Sequence, residues 1–107
     1  MDAEALEQST EWNHNMKVTV SFMGPLREYA GESRVEFALP GEATFGLVLD
    51  EIGRRFGDRL PPRIWDSEAR AFKAGILTIG TGRDLDSRET AVLDGEEIKV
   101  LPMLGGG

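Results

Sequence analysis

The residues of this sequence that could do unusual chemistry lie at its end, in the segment LPMLGGG from Leu101 to Gly107. Glycine makes up about 7% of average proteins, so three consecutive glycines arise by chance with odds of about 3 in 10,000. A backbone without side chains can enter a channel too narrow for other residues. It also leaves the carboxylate of Gly107 unhindered for attack on the α-phosphate of ATP. We therefore predict that Gly107 reacts and that Gly105 and Gly106 give access to it.

The usual catalytic side chains are scarce in the rest of the sequence. It contains no cysteine, which excludes disulfides, zinc–thiolate sites, thiol nucleophiles and a persulfide carried on cysteine. The single histidine, His14, lies in a polar N-terminal stretch and is poorly placed for a serine–histidine–aspartate triad. We therefore predict a non-catalytic protein that binds no metal and no cofactor of its own.

Two groups of acidic residues could in principle bind a metal ion or transfer protons. They are Asp84 with Asp86, and Asp94 with Glu96 and Glu97. Neither group has the acidic ladder, central glycine and closing glutamate of a calcium loop. We therefore predict solvated turn residues at both places. The sequence GTGRDL at 80–85 lacks the third glycine and the following helix of a dinucleotide-binding loop, so a β-turn is predicted there.

The composition indicates one small domain with an acidic balance. The 107 residues carry a net charge of −7, and residues 1–15 hold four acidic residues and no basic one. The remaining twelve basic and fifteen acidic residues give a net of −3, which does not favour nucleic-acid binding. The acidity fits either a basic partner or simple solubility. No apolar run approaches the roughly 20 residues that span a membrane, and no secretory signal is present, so we expect a cytoplasmic protein.

The first fifteen residues look like an appendage to this domain. The sequence MDAEALEQSTEWNHN is polar and has no helix-capping signals, whereas strong apolar patterning begins at Met16. We predict a disordered tail over residues 1–15. A short helix over Ala3–Gln8 that docks through Trp12 is the alternative.

Two segments with alternating apolar residues predict the first two strands. One runs from Met16 to Phe22 and the other from Arg34 to Pro40, with glycines and a proline between them. We expect these strands to form an antiparallel pair, each with one face in the core.

The apolar period then changes to that of a helix. Phe45, Val48, Leu49, Ile52 and Phe56 recur at helical spacing, while charged residues fill the opposite face. The sequence predicts Thr44 as the N-cap and Gly57 as the glycine that ends the helix. The two internal glycines each cost about 1 kcal/mol relative to alanine, so packing must hold this helix in place.

The last third of the sequence predicts the remaining strands. Ile76–Ile79 is expected to form a short buried strand, Asp84–Asp86 a very short one, and the run ending at Pro102 the last strand. Before them, Ile64, Trp65 and Phe72 are expected to cover an edge of the core. The resulting order, β-β-α-β-(β)-β, predicts a two-layer α+β fold with a mixed sheet of four to five strands and one main helix on one face. The helical crossover allows the first and last strands to pair in parallel.

Two motifs at the ends of this pattern resemble those of the MoaD/ThiS family of ubiquitin-like sulfur carriers. KVTVSFMGPLREYAG resembles the family's opening strand and the turn that follows it, and LDGEEIKVLPMLGGG resembles its closing turn, last strand and Gly-Gly end. The similarity is strongest to the MoaD type, the small subunit of molybdopterin synthase, and covers about residues 16–107. It implies a ubiquitin-like β-grasp domain over residues 16–102 and a flexible tail over 103–107. The sequence departs from the family at Met103, where a second proline is common.

The resemblance also implies a function and a set of partners. An adenylyltransferase related to ubiquitin-activating enzymes would use ATP to convert the Gly107 carboxylate into an acyl-adenylate. A persulfide donor would then supply sulfur to give a thiocarboxylate. In the MoaD case the tail enters the large subunit of molybdopterin synthase and delivers the sulfur in molybdenum cofactor biosynthesis. Catalytic side chains would belong to these partners.

Residues just before the glycines are predicted to face such partners. Leu101, Pro102, Met103 and Leu104 would form a hydrophobic approach to the tail, with ordinary edge packing as the alternative. The acceptor could instead belong to thiamine, cysteine or homocysteine synthesis or to tRNA thiolation. Other classes remain open: a ubiquitin-like modifier joined to lysine through Gly107, or an interaction domain whose glycines are a remnant of cloning.

Overall fold

The computed structural model describes residues 15–103 and contains one five-stranded sheet, one two-stranded sheet and two helices. In chain order the elements are β1 Asn15–Phe22, α1 Pro25–Ala30, β2 Arg34–Pro40, α2 Phe45–Phe56, β3 Trp65–Asp66, β4 Ala71–Phe72, β5 Ile76–Gly80, β6 Arg83–Asp84 and β7 Glu97–Pro102. The predictions for most of residues 1–15 and for 104–107 lie outside the described residues.

The large sheet has the strand order β2-β1-β7-β5-β6 and is mixed. β1 pairs with β2 in antiparallel register, with Val18 opposite Phe37, and pairs in parallel with β7, with Val20 opposite Ile98. The α2 crossover makes this parallel pairing of the first and last strands possible. The predicted mixed α+β fold with five strands and one main helix is therefore confirmed.

The main helix, α2, covers one face of the sheet with the residues that its period predicted. Phe45, Val48, Leu49, Ile52 and Phe56 are all buried. The ring of Phe56 meets that of Phe22 from β1 in an edge-to-face contact with centroids 5.3 Å apart. Burial of side chains of this size stabilises the fold by about 1.5–3 kcal/mol each, which makes this interface the main source of stability.

The two glycines inside α2 allow neighbouring segments to approach the helix closely. A Cβ atom at Gly53 would lie 2.9 Å from the ring of Trp65, and one at Gly46 would lie 3.0 Å from the carbonyl oxygen of Arg88. Trp65 is buried, and it stacks edge-to-face on Phe72 across the β3–β4 hairpin, with centroids 4.9 Å apart. The prediction that Ile64, Trp65 and Phe72 cover an edge of the core is confirmed.

The ends of α2 differ from the prediction in how they are capped. Thr44 occupies the N-cap, but its side chain makes no capping hydrogen bond; instead the backbone N–H of Phe45 donates to Thr90 O at 2.8 Å. Gly57 follows the last helical residue, Phe56, as predicted, but it has right-handed helical angles, with φ −56° and ψ −37°. The chain continues into a further turn, in which the N–H of Leu60 donates to Phe56 O and Leu60 is buried. Burial of Leu60 explains why the chain does not reverse at the glycine.

The predicted solvation of the acidic clusters is correct for four residues and wrong for Glu96. Glu96 is buried, and its carboxylate accepts hydrogen bonds from Arg83 and from the backbone N–H groups of Thr81 and Leu93. The other four acidic residues, Asp84, Asp86, Asp94 and Glu97, are exposed. The predicted turn at 81–82 is confirmed, and β6 begins at Arg83, one residue before the strand predicted there.

Candidate functional site: the end of β7

The sheet holds the last strand firmly up to the residue where the tail begins. β7 lies between β1 and β5, and its Val100 carbonyl accepts a hydrogen bond from the N–H of Met23 at 2.9 Å. The N–H of Met103 donates to Gly75 O at 2.7 Å. β7 is therefore anchored on both sides, and Met103, the last described residue, is held by Gly75, the residue before β5. Leu104, Gly105, Gly106 and Gly107, which were predicted as site residues, lie outside the described residues.

Alternation along β7 divides its side chains between the core and an uncovered face. Ile98 and Val100 are fully buried under α2, so Lys99 and Leu101 project from the opposite face. Residues directly opposite each other in paired strands share a face, which places Leu77 beside Leu101 and Ile79 beside Lys99. No helix of the described chain covers this face.

An apolar surface therefore surrounds the root of the tail. It consists of the residues that we call the open-face patch: Met23, Leu77, Ile79, Leu101 and Met103. Met23 and Met103 are 41% and 49% exposed, and the other three are half-buried. Exposed methionines adapt their shape to a partner, and a grouped apolar surface on a small protein is typical of an interaction site.

Pro102 has a different environment from its neighbours Leu101 and Met103. It lies opposite Ile76 of β5 and is half-buried, and its ring approaches Gly24, where an added Cβ would be 3.8 Å away. Gly24 has a φ of +60°, which favours glycine. Pro102 thus contributes to fixing the direction in which the chain leaves the sheet.

The sequence pointed to Leu101 and Met103 but missed Met23, Leu77 and Ile79. The strand predicted at Ile76–Ile79 is confirmed as part of β5, but its predicted burial is wrong because all four residues are only half-buried. Apolar residues occupy both faces of β5, while α2 covers one of them. The patch could have been predicted only from the register that places Leu77 opposite Leu101. The sequence of one strand does not determine that register.

The described residues hold no arrangement suited to catalysis at this end of the sheet. Among residues 15–103, no three potential metal-ligating side chains come together. Glu96 is fully hydrogen-bonded inside the fold. Burial acts to raise the pKa of Glu96, but its hydrogen bonds from Arg83, Thr81 and Leu93 outweigh burial and hold that pKa below its usual value. Glu96 therefore remains a structural carboxylate.

An open groove of about 410 Å³ lies on the other side of the sheet, against α2. Its floor includes Phe45, Leu49 and Phe72, and charged residues lie at its rim. One of these, Arg88, is paired with Asp50 at 2.9 Å. Within the described chain, neither helix is long and apolar enough to cross a membrane.

Comparisons with known proteins agree with this architecture. No protein-family model matches the sequence. The chain is 27% identical over 95 residues to small archaeal modifier protein 3 of Haloferax volcanii, which covers 86% of this chain and all of the relative. Among solved structures, small archaeal modifier protein 1 of H. volcanii matches with a TM-score of 0.70 and 23% identity over 85% of this chain and 99% of its own. A molybdopterin converting factor subunit 1 of Pyrococcus furiosus, described as putative in its source, matches with a TM-score of 0.64 and 24% identity over 83% and 99%.

The strand order, the single covering helix and these structural matches define a ubiquitin-like β-grasp protein. Within that class, the chain is similar in sequence to small archaeal modifier proteins. These matches bear out the predicted resemblance to the MoaD/ThiS-type family.

Proposed function

We propose that this chain is a sulfur carrier whose reactive group is the carboxylate of Gly107. The observation that carries the proposal is the open-face patch, which surrounds the root of a glycine-ended tail on a domain whose described residues include no catalytic cluster. A protein with this arrangement presents its chain end to enzymes and leaves catalysis to them.

The chemistry would take place in three steps. The Gly107 carboxylate attacks the α-phosphorus of ATP, which releases pyrophosphate and forms an acyl-adenylate. Sulfur from a persulfide donor then displaces AMP, and reduction of the resulting acyl disulfide by a thiol leaves the thiocarboxylate. Gly105 and Gly106 allow the tail to enter the narrow site where an activating adenylyltransferase performs these steps.

The open-face patch would provide the affinity that the tail lacks. Two of its members, Leu101 and Met103, come shortly before Leu104 and the glycines in the sequence. Ordering a glycine-rich segment costs about 1–2 kcal/mol per residue, so a rigid apolar surface beside it is needed for docking. We propose the same surface for the acceptor, which is the large subunit of molybdopterin synthase in the pathway that the MoaD resemblance favours. Thiamine, cysteine or homocysteine, and tRNA thiolation are alternative destinations of the sulfur.

A second candidate function is conjugation to lysine, as in a ubiquitin-like modifier. It is supported by the relative that the chain matches over its full length, which is named a modifier protein. Both functions would use the same acyl-adenylate, and they differ in whether a persulfide or a lysine amine receives the acyl group.

Intact mass spectrometry tests the proposal. The full chain is incubated with the adenylyltransferase of its source organism, ATP and a persulfide donor, and replacement of one terminal oxygen by sulfur is expected. A variant lacking Gly106 and Gly107 is the control, and it should remain unmodified while retaining its circular dichroism spectrum. A protein that acquires no sulfur but forms lysine-linked conjugates would support the second function and contradict the first.

A further inference from the structure

Three arginines near the end of α2 form a row, and an aromatic ring supports each of them. The pairs of guanidinium carbon and ring centroid are Arg55 over Phe37 at 4.9 Å, Arg59 over Phe56 at 5.7 Å and Arg63 over Tyr29 at 5.6 Å. We call Arg55, Arg59 and Arg63 the arginine strip. Stacking on rings restricts the rotamers of these long side chains, so their charges are held in place before any partner binds.

The charge of the arginine strip is not neutralised within the described chain. Arg59 donates to Ala30 O at 2.8 Å and Arg63 donates to the Tyr29 hydroxyl at 2.5 Å, and both acceptors are uncharged. None of the three forms an ion pair with a carboxylate of residues 15–103, whereas four other arginines do. Those are Arg54, Arg70, Arg83 and Arg88. A preorganised positive row is unexpected in a chain with a net charge of −7.

An unpaired sheet edge runs beside the arginine strip. β2 is the first strand of the sheet and pairs only with β1 in the described chain. Half of its backbone N–H and C=O groups therefore point away from the sheet, where they can bind an extended segment. Arg55 reaches this edge, because its guanidinium stacks on Phe37 of β2.

An unpaired strand edge beside positive charges is suited to bind an extended acidic segment, and the sequence contains an acidic segment. Residues 1–14 hold four acidic residues and neither lysine nor arginine. They precede Asn15, which lies beside Pro40 at one end of β2. Phe37 is about 10 Å further along that strand. Fourteen extended residues span up to about 46 Å, so the acidic side chains can reach all of the strip.

We propose that residues 1–14 dock along the outer edge of β2, with their carboxylates paired to the guanidinium groups of the arginine strip. Attachment at Asn15 keeps the segment at a high local concentration, so individually weak ion pairs are sufficient. This inference is independent of the chemistry at Gly107.

Nuclear magnetic resonance of the full chain tests the proposal with charge variants. The test variant replaces the four N-terminal acids: Asp2→Asn, Glu4→Gln, Glu7→Gln and Glu11→Gln. The matched control removes the same number of charges at exposed positions elsewhere: Asp84→Asn, Asp86→Asn, Glu89→Gln and Glu97→Gln. At about 0.01 M salt, where the screening length is about 30 Å, the test variant should shift the side-chain Nε–H signal of Arg55 and the backbone amides of 34–40. The control should leave these signals at their wild-type positions.

Salt and the strip itself provide the second part of the test. At about 1 M salt, where the screening length is about 3 Å, the wild type and the test variant should give coincident β2 signals. In the double variant Arg55→Glu, Arg63→Glu, neutralising the N-terminal acids should no longer shift the β2 amide signals. In the control double variant Arg54→Glu, Arg70→Glu, the same neutralisation should still shift them. Identical wild-type and test-variant spectra at low salt would overturn the proposal. Shifts that grow with protein concentration would also overturn it, because they would assign the contact to a second copy of the chain.

Discussion

Glu96 and Arg83 form an ion pair that joins the residue before β7 to the first residue of β6. Arg83 Nη2 lies 2.7 Å from Glu96 Oε1, and Arg83 Nε lies 3.1 Å from Glu96 Oε2. The Glu96 side chain is fully buried, while that of Arg83 is 32% exposed. The same carboxylate accepts backbone hydrogen bonds from Thr81 and Leu93 at 3.0 and 2.9 Å. One side chain thus connects three segments at the edge of the sheet.

Replacing Glu96 by alanine should destabilise the domain, because it removes the shared acceptor of these segments. We expect the free energy of unfolding to fall by about 2 kcal/mol. Urea unfolding monitored by tryptophan fluorescence measures the change. Glu97→Ala is the matched control at the adjacent, exposed position, and it should alter stability by less than about 0.5 kcal/mol. Equal losses for the two variants would contradict the structural role of Glu96.

The Glu96 carboxylate should also make the free energy of unfolding depend on pH. Its hydrogen bonds hold its pKa in the folded state below the ordinary value of 4.5. The unfolded chain therefore binds the proton more readily, and the contribution of Glu96 is complete above about pH 4.5 and is lost as the pH falls through the folded-state pKa. Thermal unfolding from pH 3 to pH 7 should show a steeper acid-side decline for the wild type than for Glu96→Gln. Parallel curves would contradict this assignment.

Replacing Gly53 by alanine should destabilise α2, although the same change in an ordinary helix stabilises it by about 1 kcal/mol. The added Cβ would lie 2.9 Å from the buried ring of Trp65. We expect a loss of about 1–3 kcal/mol from overpacking. In a Trp65→Leu background the clash is removed, so Gly53→Ala should become neutral or stabilising. A double-mutant cycle from urea unfolding measures this coupling, and additive effects would show that the ring is not the cause.

Introducing charge into the open-face patch should impair activation without affecting folding. Met103→Asp places a carboxylate beside the tail at a residue that is already 49% exposed. We expect the rate of adenylate formation at low protein concentration to fall at least about tenfold, equivalent to about 1.4 kcal/mol of docking energy. Leu93→Asp is the control at an exposed leucine in the loop before β7, at the opposite end of that strand from Met103, and it should react as the wild type does. A comparable loss for both variants would point to net charge rather than to the patch.

Sequence patterns predicted the elements that depend on local periodicity. The alternation in β1 and β2 and the helical spacing of Phe45 to Phe56 are strong because each has one face in the core. The burial of Glu96 had no such signal, because its partner Arg83 lies 13 residues away along the chain. The capping of α2 was missed for a related reason: its first N–H groups are bound by the loop at 88–90, which is remote in sequence.

The sequence predicted only those residues of the candidate site that are consecutive along the chain. The exposure of Leu101 and Met103 followed from alternation in β7, whereas Met23 and Leu77 join them through strand pairing. The arginine strip was not predicted, since its support comes from rings on β2, α1 and α2. Surfaces assembled from several strands become visible only when the register is known.

The central position of β7 has a consequence for biosynthesis. β7 is the last strand in chain order, yet it lies between β1 and β5. In a nascent chain from which β7 has not emerged, β1 and β5 each lack a partner on one side, so the five-stranded sheet can close only near the end of synthesis. The three glycines begin three residues after the end of this strand, at Gly105. A chain truncated before β7 would therefore lose its fold together with its tail.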